Sequence, residues 1–184
     1  MNTSVKTRQV SAGFETIDRG ALNALSAKGK ADPSAVRTVR CRTVAEGRRF
    51  RHLNYIRSLP AHIVDEPPQL LGDDTAPNPT EALLAALGSC IAVGIQANAV
   101  ARGWTVRGIA LDLEGDINIT SVWGTGDLSL KPLGLKAVRI KAELAIDGPS
   151  DDELDELVAH AAAWSPVLNT IRNPVPVSIG RPDA

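Results

Sequence analysis

About 20 consecutive residues without a charged side chain, from Ala82 to Ala101, constrain the fold of this chain more than any other feature. Pro79 and Glu81 predict where a helix begins, because proline suits the first turn and an acidic residue suits its positive end. Gly103 predicts where the helix ends. We therefore predict one long helix over Thr80–Arg102.

A helix of this length either crosses a bilayer or forms the buried centre of a globular protein or of a dimer. The segment is rich in alanine rather than leucine, and it contains Ser89, Gln96 and Asn98. It would also be a single span without the flanking asymmetry of positive charge that orients membrane helices. We therefore predict a buried core helix and no membrane association.

Alternation of apolar and polar side chains predicts strands on both sides of this helix. A second helix is predicted after the capping-box sequence Ser150–Glu153, ending near Trp164-Ser165-Pro166. The order of these elements predicts an α+β fold with antiparallel sheets. The predicted strands are Val36–Ala45, Arg48–Ser58, His62–Val64, Val106–Ile119, Ala137–Asp147 and Val175–Ile179.

No repeat and no long linker divides the chain, so residues 1–184 are predicted to form a single domain. Residues 1–35 are interpreted as an N-terminal extension, and residues 36–180 as the core. Within the extension, Asp18–Lys28 predicts a short helix that Gly29 and Pro33 end. This helix is expected to pack onto the body or to cross to a partner chain.

Charge and composition exclude several classes of function. The net charge of −1 gives no electrostatic case for binding nucleic acid or an anionic membrane. The arginines between Arg37 and Arg51 form either a solvated strand face or a site for an anion or substrate. The three histidines lie in separate elements without ligand spacing, so no metal and no cofactor are predicted. With two cysteines and no apolar run in the first 13 residues, a cytoplasmic location is expected.

Cys90 is the one residue of the long helix that could carry chemistry. A cysteine in an apolar helix is either a small buried hydrophobe or a nucleophile whose thiolate is stabilised by a cation or by the helix dipole. Cys90 lies about ten residues into the helix, beyond the reach of the dipole. A reactive Cys90 would therefore need an arginine from elsewhere in the fold. Cys41, within an Arg/Thr strand, is interpreted as incidental.

The stretch DEPPQLLGDDTAPNPTEALLAALGSC resembles the OsmC/Ohr superfamily of thiol peroxidases. In that family a proline-rich loop leads into an alanine-rich helix that carries a cysteine. The segments GWTVRGIALDLEGDI and SPVLNTIRNPVPV are similar to the OsmC-like branch as well. The resemblance covers about residues 36–180.

The resemblance implies an intertwined homodimer, with antiparallel sheets wrapped around long central helices. It implies that Cys90 is a peroxidatic nucleophile that attacks the O–O bond of organic hydroperoxides and becomes a sulfenic acid. The family's active-site arginine lies in a Gly-Arg turn after the first strand, which matches Arg48, with Arg49 as its neighbour. A glutamate at the helix start orients that arginine, and Glu81 stands one residue after the matching position.

The resemblance also concerns the resolving step. Peroxidases of this family resolve the sulfenic acid with a cysteine in a Cys-Pro motif, and this chain has Ser165-Pro166 there. A serine does not form a disulfide. Cys41 is an alternative resolving thiol, but it lies in the first strand. The resemblance therefore implies that an external thiol reductant resolves Cys90.

Three functions remain open from the sequence. The first is a thiol-dependent organic hydroperoxide reductase-like protein with Cys90 as nucleophile, Arg48 or Arg49 as thiolate stabiliser and Glu81 as orienting group. The second is a non-catalytic protein that binds a small apolar ligand in a dimer-interface pocket. The third uses the N-terminal helix and the loop over residues 120–136 as docking surfaces for a partner.

Overall fold

The structure is a computed structural model that describes Glu15 and residues 17–130 and 133–181. The first 13 residues, on which part of the expectation of a cytoplasmic location rests, lie outside the described residues. Four helices and five strands follow one another along the described chain. Their order is α1 (Arg19–Ala31), β1 (Arg42–Ala45), β2 (His52–Tyr55), β3 (His62–Val64), α2 (Pro79–Arg102), β4 (Thr105–Ile117), β5 (Leu135–Asp147), α3 (Asp151–Trp164) and α4 (Pro166–Arg172). Helices beside two antiparallel sheets confirm the predicted α+β class.

Helix α2 confirms the predicted long helix, but it is less buried within one chain than its composition suggested. Its buried side chains recur every four residues and form one stripe. On the opposite face, Ser89 and Val93 are exposed, and Val93 keeps 66% of its surface accessible. Within a single chain α2 therefore has one fully buried stripe, and its predicted burial at the centre of a dimer stays a prediction. The buried stripe is Leu87, Ile91, Ile95 and Ala99.

By length and composition α2 could also cross a membrane. The most apolar window of the helix has a mean hydropathy of 1.8, and 28% of it is buried. The core helix of a soluble protein meets the same criteria, so this property alone does not distinguish the two cases.

Strands β1, β2 and β3 form an antiparallel sheet in that order. The first predicted strand was too long at its start, and the second was too long at both ends. Residues 36–41 form no strand, and Val36 and Val39 are almost fully exposed, because no described strand lies beside them. Strand β2 starts only at His52, since the connection before it turns through Gly47 and Arg49, both at positive φ.

Strands β4 and β5 form a two-stranded sheet. Arg107 pairs with Asp147 at one end, and Arg139 pairs with Asp116 at the other. Early residues of β4 therefore face late residues of β5, which makes the pair antiparallel. Both predicted strands are confirmed, with shifts of one or two residues at their ends.

The capping box before α3 is present as predicted. The Ser150 hydroxyl accepts from the Glu153 N–H, and the Glu153 carboxylate accepts from the Ser150 N–H at 2.8 Å. Helix α4 was missed, because Pro166 was interpreted as ending a helix although it begins a new one. The predicted closing strand Val175–Ile179 is wrong, since these residues form no strand in the described chain and their valines and isoleucine are exposed.

Helix α1 begins as predicted, where the Asp18 carboxylate accepts from the Ala21 N–H. It continues through Gly29 to Ala31, and none of its residues is buried. Since none of its side chains is buried, this helix does not pack onto the body through a buried face, as had been expected.

The contacts divide the chain into two compact units. The described part of the first comprises Glu15 and residues 17–27, 91–112 and 140–181, and its core includes Ile95, Leu157 and Leu168. The second comprises residues 28–90 together with the described part of 113–139, and it buries Val64 and Leu87. The prediction of a single domain stays a prediction.

Candidate functional site

The start of α2 is fixed by a reciprocal pair of hydrogen bonds. The Asn78 N–H donates to Glu81 Oε2 at 2.8 Å, and the Glu81 N–H donates to Asn78 Oδ1 at 2.9 Å. The predicted helix start is thus a capping box with asparagine as the N-cap. One oxygen of the Glu81 carboxylate is engaged in this cap, and the predicted role of Glu81 in orienting an arginine stays a prediction.

Cys90 lies halfway along α2 and is half-buried. It precedes the buried Ile91 and lies one turn before the exposed Val93, so it stands at the border between the buried stripe and the exposed face. Along the helix axis it is roughly 14 Å from Glu81, at about 1.5 Å per residue. An arginine side chain that contacts both Glu81 and Cys90 of the same helix would have to span about 14 Å.

Arg48 and Arg49 lie in the connection between β1 and β2, and both are held by one carboxylate. Arg48 Nε is 3.3 Å from Asp73 Oδ2, and Arg49 Nη1 is 3.2 Å from Asp73 Oδ1. Arg49 Nη1 also donates to the carbonyl of Gly72 at 3.2 Å. The structure therefore brings the two predicted arginines together, against the loop that precedes α2.

The buried carboxylate of Asp65 holds that loop together through hydrogen bonds. It is only 1% exposed and accepts from the Thr75 hydroxyl at 2.7 Å and from the Thr75 N–H at 3.0 Å. The backbone N–H groups of Glu66 and Asp73 donate to it as well. These donors, the Thr75 hydroxyl above all, lower the pKa of Asp65 from 3.8 to about 2. The carboxylate thus stays ionised and ties the two ends of the loop together.

The β1–β2 connection is attached to the same loop. Arg51 donates through Nε to Glu46 Oε2 and through Nη1 to the Thr75 hydroxyl, each at 2.5 Å. Thr75 therefore links the Arg51 guanidinium to the Asp65 carboxylate. The two segments that carry Arg48, Arg49 and Asp73 are joined by this chain of hydrogen bonds.

Glu66, the next residue after Asp65, has the opposite environment. Its Oε2 is buried, and no residue that the structure describes donates a hydrogen bond to it. Burial, followed by the charges of Glu81 and Asp65, raises the pKa of Glu66 above its ordinary value. His52 acts in the other direction, so this carboxyl lies in the electrostatic field of both α2 and β2.

An open groove of about 480 Å³ lies over one face of the β1–β2–β3 sheet. Thr43 donates to Asn54 at 2.7 Å across the strands, and Asn54 donates to the carbonyl of His62 at 3.0 Å. Cys41 lines the groove, whereas Cys90 is not among its lining residues. The groove is also lined by His52, Ile56, Val64, Pro79 and Ala82.

Ser165, the serine of the Ser165-Pro166 pair, has a structural role. It is 3% exposed, and its hydroxyl accepts from the Leu168 N–H at 3.2 Å to cap α4. Its carbonyl accepts from the Asn169 side chain at 2.9 Å. The serine therefore forms the junction between α3 and α4.

Within the described ranges, no three His, Cys, Asp or Glu side chains cluster so as to hold a metal ion. Two residues of the site, Asp65 and Asp73, were not predicted from the sequence. A signal was available, because both acids flank the Pro67-Pro68 turn, where the loop has to be held by side chains.

Solved structures similar to this chain share its fold at low sequence identity. An OsmC-like protein from Mycoplasma pneumoniae matches with a TM-score of 0.62 and 17% identity, over 76% of this chain and 91% of that one. An organic hydroperoxide resistance protein from Legionella pneumophila matches with a TM-score of 0.54 and 21% identity, over 76% and 92%. One from Elizabethkingia anophelis matches with a TM-score of 0.55 and 15% identity, over 77% and 92%.

The fold, with a long cysteine-bearing helix and two antiparallel sheets, is the fold of these OsmC-like structures. The model of the OsmC-like protein family matches residues 72–180, which is more than half of the chain. The chain therefore belongs to the OsmC-like protein family. A search of curated proteins gives no match.

Proposed function

We propose that this protein is a one-cysteine, thiol-dependent organic hydroperoxide reductase that works as a homodimer. The observation that carries the proposal is the position of Cys90, half-buried at the edge of the exposed apolar face of α2, in a chain of the OsmC-like family. A second copy packed on that face would enclose the thiol and exclude water from it. An enclosed apolar site of this kind excludes water but admits a small apolar peroxide to the thiol.

The reaction proceeds in two stages. The Cys90 thiolate attacks one peroxide oxygen and the O–O bond breaks, giving Cys90 sulfenic acid and an alkoxide that takes up a proton to leave as the alcohol. An external thiol then displaces water from the sulfenic acid to form a mixed disulfide. A second thiol reduces that disulfide and restores Cys90. Arg48 and Arg49 are the proposed thiolate stabilisers.

Ser165 supports the need for an external reductant. A serine offers no sulfur for a disulfide, and this one is occupied in capping α4. Cys41 is exposed at the edge of the groove, in the segment before β1. The proposal gives Cys41 no part in the reaction.

Trapping of the sulfenic acid tests this function. The protein is treated with one equivalent of cumene hydroperoxide in the presence of a sulfenic-acid trap, and its intact mass is measured for wild type, Cys90→Ser and Cys41→Ser. We expect one trap adduct in wild type and Cys41→Ser and none in Cys90→Ser. A wild-type protein as inert as Cys90→Ser would exclude the peroxidase.

The groove over the β1–β2–β3 sheet supports a second function, in which the protein binds a small, mainly apolar ligand without catalysis. Asn54 and the two histidines supply the few polar groups that orient a ligand in such sites. Native mass spectrometry of the purified protein tests this function. It requires a bound small molecule together with a Cys90 that does not react with the peroxide.

A further inference from the structure

The side-chain amide of Asn54 lies in the floor of the groove over the β1–β2–β3 sheet. Strand β2 is the middle strand, and in the register of the sheet Asn54 lies opposite Thr43 on one side and His62 on the other. All three residues line the groove. The amide is therefore flanked by two strands, and its free side faces the groove.

The two neighbouring strands fix the orientation of this amide. The Thr43 hydroxyl donates to Asn54 Oδ1 at 2.7 Å, and Asn54 Nδ2 donates to the His62 carbonyl at 3.0 Å. A carbonyl oxygen can only accept, so the amide nitrogen has to face β3 and the amide oxygen has to face β1. A flipped amide would place its oxygen against the carbonyl oxygen of His62.

Half of the hydrogen-bonding capacity of the Asn54 amide remains for a ligand. A primary amide has two acceptor positions on its oxygen and two N–H groups on its nitrogen. Thr43 and His62, on opposite strands, occupy one acceptor position and one N–H at the sides of the amide. In a planar amide the remaining acceptor position and the remaining N–H then lie side by side and point away from the strand. Such a pair can bind a ligand through two hydrogen bonds.

The rest of the groove suits an uncharged ligand with an apolar body. Ile56 and Val64 line it from the sheet, and Pro79 and Ala82 line it from the start of α2. Of the described residues that line it, none is an aspartate, glutamate, lysine or arginine. Glu81, in the same first turn of α2, adds negative charge beside that end of the groove, which disfavours an anionic ligand.

We propose that the groove binds an uncharged molecule that presents an N–H group beside a hydrogen-bond acceptor, as a carboxamide or a lactam does, and that Asn54 recognises this edge through two hydrogen bonds. The proposal rests on ligand binding in the groove, the second function above, and names the chemistry of the ligand. Cys90 does not line the groove and has no part in it. A ligand with only acceptors or only donors at this edge would leave one group of the amide unpaired.

Three planar probes of similar shape distinguish this recognition from simple apolar binding. Benzamide offers an acceptor beside an N–H, benzoate offers two acceptors, and benzamidine offers N–H groups alone. Each probe is titrated into isotope-labelled protein, and its dissociation constant is obtained from the shifts of the backbone amide resonances of Asn54 and Val64. We expect benzamide to bind at least about tenfold more tightly than either of the other two probes, because it alone pairs with both groups of the amide.

The variant Asn54→Asp changes the recognition group with almost no change of shape. A carboxylate has acceptors only, so the preferred probe should change from benzamide to benzamidine. A variant that merely disturbed the sheet would weaken the binding of all three probes alike. Asn23→Asp, at an exposed position of α1, makes the same chemical change outside the groove and should bind the probes as wild type does.

Recognition by Asn54 and ligand binding in the groove fail in different ways. If all three probes bind with similar dissociation constants, or if Asn54→Asp keeps the wild-type preference, recognition by Asn54 is wrong and ligand binding in the groove stands. If no probe shifts the groove resonances, the proposal is also wrong, and native mass spectrometry decides on ligand binding by itself. A preference for benzamide that Asn54→Asp reverses establishes the proposal, whether or not Cys90 reacts with peroxide.

Discussion

Two adjacent carboxyl groups before α2 have opposite environments. Asp65 is surrounded by donors that hold its pKa at about 2, whereas Glu66 has a buried oxygen without a described donor and a raised pKa. Asp65 thus stays ionised and organises the loop, whereas burial and neighbouring negative charges disfavour the ionised form of Glu66. Neighbouring residues in sequence differ this much because their side chains enter different surroundings.

Asp65 should make stability depend on pH in the acid range. Its folded pKa is below the ordinary 3.8, so its contribution is present above pH 3.8 and is lost as pH falls through about 2. We expect Asp65→Asn to lower the urea midpoint at pH 6, with a difference from wild type that shrinks between pH 4 and pH 2. Asp74→Asn serves as the exposed control. A difference that is constant over this range would contradict the assignment.

Glu66 should show the opposite sign. Its folded pKa is above the ordinary 4.5, so its favourable contribution is present below pH 4.5 and is lost as pH rises through the folded pKa. Glu66→Gln removes the charge, and we expect its urea midpoint to equal or exceed that of wild type at pH 7. Near pH 4 this advantage should disappear. A variant that is less stable than wild type at pH 7 would show that the carboxylate has a favourable partner.

At the scale of elements, α2 and α3 approach closely where α2 carries a glycine. A Cβ built at Gly94 would lie 3.2 Å from the Cβ of Ala161 and 3.5 Å from its Cα. Ala161 is almost fully buried, so its backbone has little room to move. The absence of a side chain at Gly94 therefore allows α3 to pack closely against α2.

A larger side chain at this contact should be costly. We expect Gly94→Val to destabilise the protein by about 1–3 kcal/mol, the range found for overpacked cores. Gly29→Val, at a helical position with open space around it, should cause no loss. Urea unfolding followed by circular dichroism measures both. Equal stability of the two variants would mean that α2 and α3 separate at little cost.

The junction between α3 and α4 depends on a single hydroxyl. Ser165 caps α4 from a buried position, so Ser165→Ala leaves the Leu168 N–H without its acceptor. We expect a loss of about 1–2 kcal/mol, typical of a removed N-cap. Ser178→Ala, in an exposed segment without regular structure, is the control. The free energy of unfolding from urea titrations distinguishes the two.

At the scale of the molecule, the described chain has unpaired strand edges and an exposed apolar helix face that a second copy could cover. The two-stranded sheet of β4 and β5 is of a kind that is marginal on its own, and both sheets have unpaired edges. Helix α2 keeps an exposed apolar face beside Cys90. These features support the proposed homodimer, and they explain why a core helix can have one buried stripe within a single chain.

A charge on the exposed face of α2 should weaken that dimer. We expect Val93→Lys to raise the dimer dissociation constant at least about tenfold, because a lysine at the centre of an apolar interface loses its hydration. Val36→Lys, at a residue that is 91% exposed and outside any element, is the control. Sedimentation equilibrium measures both variants. Dimers of equal strength would mean that this face of α2 lies outside the interface.

The sequence by itself determined the local elements. Charge-free length predicted α2, and the side chains of Asp18 and Ser150 predicted two helix starts, because caps and periodicity act between residues a few positions apart. The same reasoning missed α4, since Pro166 suits either a helix end or a helix start. It was wrong for Val175–Ile179, because alternation describes a strand only where a partner strand is present.

The tertiary structure alone decided which of these residues meet. The pairing of Arg48 and Arg49 with Asp73 joins segments that are more than 20 residues apart, and the loop is held by a carboxylate whose role depends on the donors folded around it. Position in the sequence predicted that Cys90 lies within the helix, but only packing placed it at the border of a buried stripe and an exposed face. Contacts between distant residues follow from chain packing, and no local pattern encodes them.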